Sequence, residues 1–416
     1  MKRVLILIGL TLLSNVHVLA QQDIKIMQYN LLNYGNDFNG CNQTSNNIEH
    51  KNEQLQIIID YVKPDIFCVN EIDASLSDVN HLMGGVLNIN GVDYWSHATK
   101  SSNSYTMNML YYNSDIFTLD YQENIYANPR QLDVYNLTHN ASSIEFKVIV
   151  GHLKASEGSD NAIKRAEATQ NLMDYLNNIG SGNYIFMGDF NFYSSSEQAF
   201  QNLTNYSNSS VNFYDPINRI GTWHNSRSFS DIHTQSTHRS SNGCTSTGGM
   251  DDRFDFILIS EYIKNGSNNI EYLPNSYETI GQDGNHYNQA INDGSNNSAP
   301  IIVIDALYEM SDHVPVSLKL RLNTTSIAEL ENNNISLTHI YPNPSYELVN
   351  ISYKLSKNSD VSIGIYDVTG ENLYIKTVTN QSIGSYTLKL NVKDLGLKEG
   401  LYLVKINNSF KKLIIK

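Results

Sequence analysis

The sequence predicts an α+β sandwich followed by a small all-β module, on three observations. Through Leu322, short apolar runs of strand length are mixed with helical periodicities, and several runs follow one another in meander order. A polar stretch at 323–334 then breaks the pattern and reads as a linker. Beyond it, alternating runs at Val349–Leu355, Val361–Asp367, Tyr386–Val392 and Leu401–Ile406, divided by Pro, Gly and Asn turns, spell a small sandwich over 335–416.

The chain opens with Lys2 and Arg3, continues through the apolar VLILIGLTLL and reaches Val18-Leu19-Ala20, the layout of a signal peptide over 1–20. Ser14, Asn15 and His17 interrupt the apolar region before it is long enough to span a bilayer, and no later segment is apolar enough. Asp23–Tyr29 alternates as a strand and runs into Asn30. Leu55, Ile58, Ile59 and Val62 mark a helix that Lys63-Pro64 stops, and Ile66–Ile72 is an apolar strand with Glu71 at its end. Ser77 is expected to open a short helix toward Leu87.

Short strands follow at Tyr94–Lys100, Met107–Tyr112 and Phe117–Tyr121, then Ser143–Leu153 with His152 near its exit. Asp160–Leu176 carries a stripe of Ala162, Ala166, Thr169, Leu172, Met173 and Leu176 and is the clearest helix. The apolar run from Tyr184 ends abruptly in Gly188-Asp189-Phe190-Asn191, a strand delivering a carboxylate and a carboxamide at its tip. Ser194–Glu197 reads as a helix start, with Ala199, Phe200 and Leu203 behind it. Asn205–Gly249, whose bulkiest residue is Trp223, is expected to be a polar surface loop over a site. Met250–Ile259 is a strand containing Asp255, and Ser311-Asp312-His313 leads into the last strand of the sandwich, Val316–Leu322.

Of 416 residues, 28 are basic and 42 acidic. The imbalance is uneven: the body through Ser336, leaving out Lys2 and Arg3, holds 16 basic and 36 acidic side chains, whereas the tail holds ten lysines and six acids. That asymmetry argues for separate units and against a broad basic groove, so a polyanionic substrate would need divalent cations and local positive groups. Three cysteines make no framework. Cys68 sits in an apolar run, while Cys41 and Cys244 lie in polar loops and are able to pair in an oxidising compartment.

The polar residues at strand exits are Asn30, Glu71, His152, Asp189, Asn191, Asp255, Asp312 and His313. Singly each has a bland reading: Asn30 a turn, Glu71 a helix cap, Asp255 a partner of Arg253, His152 a satisfied core histidine. Together they end nearly every inferred core strand. Carboxylates and amides without a thiolate cluster favour Mg²⁺, Mn²⁺ or Ca²⁺, ions that stabilise charge on phosphoryl oxygens. No G-x-S-x-G elbow or P-loop is present, which disfavours a serine hydrolase or an NTPase.

The ordered series QYNLLNYG, VNEID, GHLKAS, MGDFN, RFDFIL and SDHVPV resembles the endonuclease/exonuclease/phosphatase (deoxyribonuclease I-like) superfamily over Asp23–Leu322. The resemblance implies a four-layer αββα sandwich and a metal-dependent phosphoesterase. It implies Asn30, Glu71 and Asp312 on the metal, Asp189 and Asn191 on the attacking water, and Asp255 orienting a phosphate-binding His313. It also implies His152 as a second catalytic histidine and Arg130 as a phosphate contact. The pattern departs at Thr106-Met107-Asn108, which offers no carboxylate to orient His152.

In the tail, Tyr341-Pro342-Asn343-Pro344-Ser345, Tyr366–Gly370 and Gly400–Lys405 resemble the C-terminal sorting domain of the type IX secretion system. The expectation is a secreted or cell-surface phosphodiesterase, a nuclease acting on DNA or RNA and exported by that machinery. Phospholipase or sphingomyelinase-type activity, phosphomonoesterase activity and a catalytically silent binding protein are the alternatives.

Overall fold

Apolar runs that do not alternate become strands buried on both faces, and this accounts for the layering of the larger part of the chain. The structure is a computed structural model that describes residues 20–99, 105–324, 335–355, 357–367, 370–406 and 409–416. The expected signal segment up to residue 19 and most of the expected linker lie outside the described residues. The chain divides into two compact units, one of them Val18–Ser326 and the other built on Ile327–Lys416.

In the first unit, β1 (Ala20–Tyr34), β2 (Ile66–Asp73), β3 (Trp95–His97) and β4 (Thr106–Asn113) begin one sheet. A second sheet takes β5 (Phe117–Ile125), β6 (Leu132–His139), β7 (Glu145–His152), β8 (Tyr184–Asp189), β9 (Phe213–Tyr214) and β10 (Asp255–Ser260). The chain then returns to the first sheet with β11 (Ile270–Tyr272), β12 (Glu278–Thr279) and β13 (Val316–Thr324). The orders are β11-β13-β1-β2-β4-β3, with β12 also on β13, and β5-β6-β7-β8-β10-β9. Strands β1, β2 and β4 touch β7, β8 and β10 across the interface between the sheets.

Helices cover the outsides. On the first sheet α1 (Ile48–Val62) packs with α6 (Ile301–Met310), and on the second α3 (Ser159–Ile179) packs with α4 (Gln198–Thr204). Short helices α2 (Leu76–Leu82) and α5 (Glu261–Asn265) complete the unit. Parity decides which face a side chain serves. Val148, Val150, Ile185, Met187, Ile257 and Ile259 join the core between the sheets, whereas Ile149, Phe186, Phe256 and Leu258 face α3 and α4. The result is the αββα sandwich.

Local chemistry sets several boundaries. Asn47 caps α1 by accepting the His50 N–H, and Lys63 ends it in a left-handed conformation just before Pro64. The short helix starts at Leu76, one residue before the expected Ser77, because Ser75 is its cap and accepts the Asp78 N–H at 3.1 Å. Asn205–Gly249 is only in part the surface loop its polarity suggests. Trp223, His233, Thr234 and Thr237 are fully buried, and their polar atoms are satisfied internally, as where Trp223 Nε1 donates to Arg219 O at 2.7 Å. Cys41 and Cys244 form a disulfide, while Cys68 is a buried free thiol.

The second unit is all-β: β14 (Ile335–Tyr341), β15 (Leu348–Leu355), β16 (Ser359–Tyr366), β17 (Asn372–Gln381), β18 (Gly384–Asn391), β19 (Gly400–Ile406) and β20 (Ser409–Ile415). They form sheets β14-β15-β18 and β17-β16-β19-β20 around a core that includes Val349, Ile351, Val361, Ile365 and Val404.

Candidate active site

Three strands of the second sheet end level with one another. In register, His152 of β7 lies opposite Asp189 of β8, which lies opposite Asp255 of β10. The two-residue period that turns Val150, Met187 and Ile257 inward turns these three the same way. Gly188 makes the close approach of β7 and β8 possible. It adopts φ +148°, and a Cβ there would stand 1.8 Å from the Gly151 carbonyl oxygen.

The first sheet delivers its groups to the same edge. The pairing of β1 with β2 shifts register after Asn30, and Glu71 takes a left-handed backbone at φ +59°. Such a kink re-aims a side chain. Glu71 Oε1 accepts from Asn30 Nδ2 at 3.2 Å, and Oε2 accepts from the Asn33 N–H at 3.1 Å. Asn30 Nδ2 also donates to Asp189 Oδ2 at 3.0 Å, joining the sheets. Asp312 and His313 arrive just ahead of β13, the antiparallel neighbour of β1.

Asp189 is the hub. Its Oδ1 accepts from Asn191 through both backbone N–H (3.2 Å) and Nδ2 (2.8 Å), while Oδ2 lies 3.5 Å from His152 Nε2 and 3.7 Å from His313 Nε2. Burial raises its pKa to about 7, with Asp255 and Glu71 adding to the rise and His313 opposing it. His313 Nδ1 pairs with Asp255 Oδ2 at 2.7 Å. Burial disfavours its charge, but Asp255, Asp189 and Asp312 outweigh that and hold the imidazole well above its usual pKa. His152 goes the other way: burial, then Arg130, His313 and Lys154, keep it neutral. Its Nδ1 is buried without a partner, in accord with the missing carboxylate at 106–108. Asn108 instead donates to Asp133 Oδ2 at 2.8 Å.

Arg130 spans the exit of β7, donating to the carbonyls of His152 and Leu153, both at 3.2 Å. The bland reading of Asp255 as a partner of Arg253 does not hold. Arg253 forms a buried bidentate pair with Asp215, both bonds at 2.9 Å.

Glu71, His152 and Asp189 bring ligand atoms within 4.8 Å of one another. Asp312 offers a further oxygen: Oδ2 accepts from the Ser246 N–H at 2.8 Å, while Oδ1 is buried without a hydrogen bond, 4.0 Å from His313 Nε2. An orphaned carboxylate oxygen beside an excess of acids fits a divalent, oxygen-preferring cation.

Two features were not assigned from the sequence, although Asn70 stands in the VNEID motif. Gln235 Nε2 sits 2.6 Å from His313 Nε2 and 3.4 Å from Asp312 Oδ2. Behind Asp189, Asn70 Oδ1 accepts its backbone N–H at 2.9 Å, and Asn70 Nδ2 in turn donates to Asn108 at 2.7 Å. Both sets of contacts join residues far apart in the chain.

Residues 27–313 match the Endonuclease/Exonuclease/phosphatase family and 339–416 match the Secretion system C-terminal sorting domain. A search of curated proteins gave no match. Similar solved structures include an endonuclease/exonuclease/phosphatase family protein from Bacteroides thetaiotaomicron, at 13% identity and TM-score 0.44, covering 73% of this chain and 97% of that one. The human Nocturnin catalytic domain with bound sulfate matches at 16% identity and TM-score 0.45, with 73% and 96% covered. TDP2 from D. rerio complexed with a single-strand DNA product matches at 14% identity and TM-score 0.47, with 72% and 98% covered.

The sorting domain indicates export by type IX secretion, to the medium or the cell surface. No helix among the described residues is long and apolar enough to cross a membrane. Members of the matched family hydrolyse phosphoester bonds and generally depend on a divalent metal. Spanning 27–313, that match covers more than half of the chain, and the protein belongs to the endonuclease/exonuclease/phosphatase family.

Proposed function

We propose that the protein is a secreted, divalent-cation-dependent phosphodiesterase, a nuclease that hydrolyses DNA or RNA by in-line attack of water. The observation that carries this reading is Asp189 Oδ2 placed 3.5 Å from His152 Nε2 and 3.7 Å from His313 Nε2, two histidines held in opposite charge states. Titratable groups pushed apart in this way divide acid and base roles.

Asn191 fixes Asp189 through Oδ1, so Oδ2 is the atom that takes the proton of the attacking water. His313, oriented and charged through Asp255, donates from Nε2 to a non-bridging phosphate oxygen. His152 is neutral and offers a hydrogen bond to the leaving oxygen rather than a full charge. Arg130 adds positive charge at the β7 exit. Asn30, Glu71 and Asp312 would hold Mg²⁺, Mn²⁺ or Ca²⁺, with Glu71 common to this set and to the Glu71–His152–Asp189 cluster. When bound, such an ion stabilises the charge developing on phosphoryl oxygens.

The purified chain should cleave DNA, RNA or bis(4-nitrophenyl) phosphate with one of these cations and stop on addition of EDTA. Intact substrates under every cation would overturn the reading.

A further inference from the structure

The larger unit is strongly acidic, yet cations gather on one side of the active site. Arg130 clamps the loop after β7 through the carbonyls of His152 and Leu153, and Arg165 clamps it through those of Lys154 and Ser156, at 2.9 and 3.1 Å. Lys154 lies between the clamps and donates to Ala155 O at 2.8 Å. Lys164 stands beside Arg165 on the first turns of α3. Arg130 feels Glu71 and Asp189, and Lys154 feels Arg130, Lys164 and Arg165.

Of these four, Arg165 is neutralised by Glu197 at 2.9 Å. Among the described residues, Arg130, Lys154 and Lys164 form no ion pair with a carboxylate, and the nearby Glu157 is turned toward His224 at 3.6 Å. Cations gathered without a close carboxylate partner are costly to assemble for structure alone, since like charges repel. With Arg130 assigned to the reacting phosphate in the reading above, Lys154 and Lys164 remain for charge beyond it.

We propose that Lys154 and Lys164 form a subsite for a backbone phosphate flanking the scissile one, so that the substrate is a polynucleotide strand rather than an isolated phosphate ester. This rests on the phosphodiesterase reading above. Phosphate contacts of this kind position a strand without reading its sequence.

The test is the double variant Lys154→Gln/Lys164→Gln, assayed on bis(4-nitrophenyl) phosphate and on a single-stranded deoxyoligonucleotide of about twelve nucleotides. The fall in kcat/KM on the oligonucleotide should exceed that on the small diester by on the order of tenfold. Raising salt from about 50 to about 200 mM should cost the wild type about sevenfold more kcat/KM than the variant, the counterion release of two phosphate contacts on a single strand.

Equal losses on both substrates, or equal salt dependence, would overturn the subsite. So would a defect confined to binding of phosphatidylglycerol vesicles. A wild type that cleaves neither ester would instead sink the phosphodiesterase reading. Fluorescence anisotropy with the same oligonucleotide then still reads the subsite, and equal binding by wild type and variant would refute it.

Discussion

Asp189 shows how one side chain acquires a role from its surroundings. Its Oδ1 is fully engaged by Asn191 and its Oδ2 faces two histidines, so Asp189→Asn keeps the shape but removes the proposed base. We expect kcat on bis(4-nitrophenyl) phosphate to fall by about 10²- to 10⁴-fold with an unchanged circular dichroism spectrum. Near-normal turnover would remove Asp189 from the mechanism. The same residue makes a prediction for the protein in EDTA. Its folded-state pKa is about 7 against an ordinary 3.8, so between those values the folded state binds more protons than the unfolded chain. Stability therefore falls as pH rises through that window. His313, also raised, acts in the same direction, since its contribution is present below its unfolded pKa and is lost as pH passes the folded one. The Tm in EDTA should decline from about pH 5 to about pH 8, and the decline should be shallower in Asp189→Asn. A cation bound by the folded state alone should restore Tm at the upper end. An identical slope in the variant would contradict the assignment.

Strand ends and loops hold these side chains, and here the chain is only partly legible. Gly188-Asp189-Phe190-Asn191 could be read because an apolar run cannot end in such residues without a turn, and the structure adds why the first of them is glycine. Gly188→Ala would drive a Cβ to 1.8 Å from Gly151 O at a φ of +148°, so equilibrium unfolding should show a loss of several kcal/mol, about the upper range for backbone strain. A loss under about 1 kcal/mol would mean that β7 and β8 separate easily. Gln235 was illegible, since its contact with His313 exists only after two distant segments meet. Helix α6 was illegible for another reason: IIVIDALYEM lacks the polar stripe that makes a helical period visible. The Cys41–Cys244 disulfide, joining positions 203 apart in the sequence, ties the segment after β1 to the loop whose Ser246 N–H holds Asp312. Replacing both cysteines by serine should cost roughly 2–5 kcal/mol, measured by urea unfolding. An unchanged unfolding midpoint would show that the loops hold without it.

At the scale of the whole chain, composition divided the molecule before any element was placed. The acidic body and the lysine-rich tail became units with cores of their own, because alternating short strands bury one face each while the strands of the sandwich bury two. What composition concealed was the local gathering of Lys154 and Lys164 beside the site, since counts over a body of 36 acids average away any cluster of a few cations. Separate cores carry a consequence for the tail. Val349, Ile351, Ile363 and Val404 are buried among residues of the second unit, so among the described residues cutting the chain between 324 and 335 removes no side chain from the cores of the sandwich. The shortened protein should unfold at the midpoint of the sandwich in the full chain and retain its kcat/KM on bis(4-nitrophenyl) phosphate. In the producing cell it should accumulate inside the envelope, because the sorting domain at 339–416 is gone. A lowered midpoint would mean that the tail stabilises the sandwich, and normal export would mean that the signal lies elsewhere in the chain.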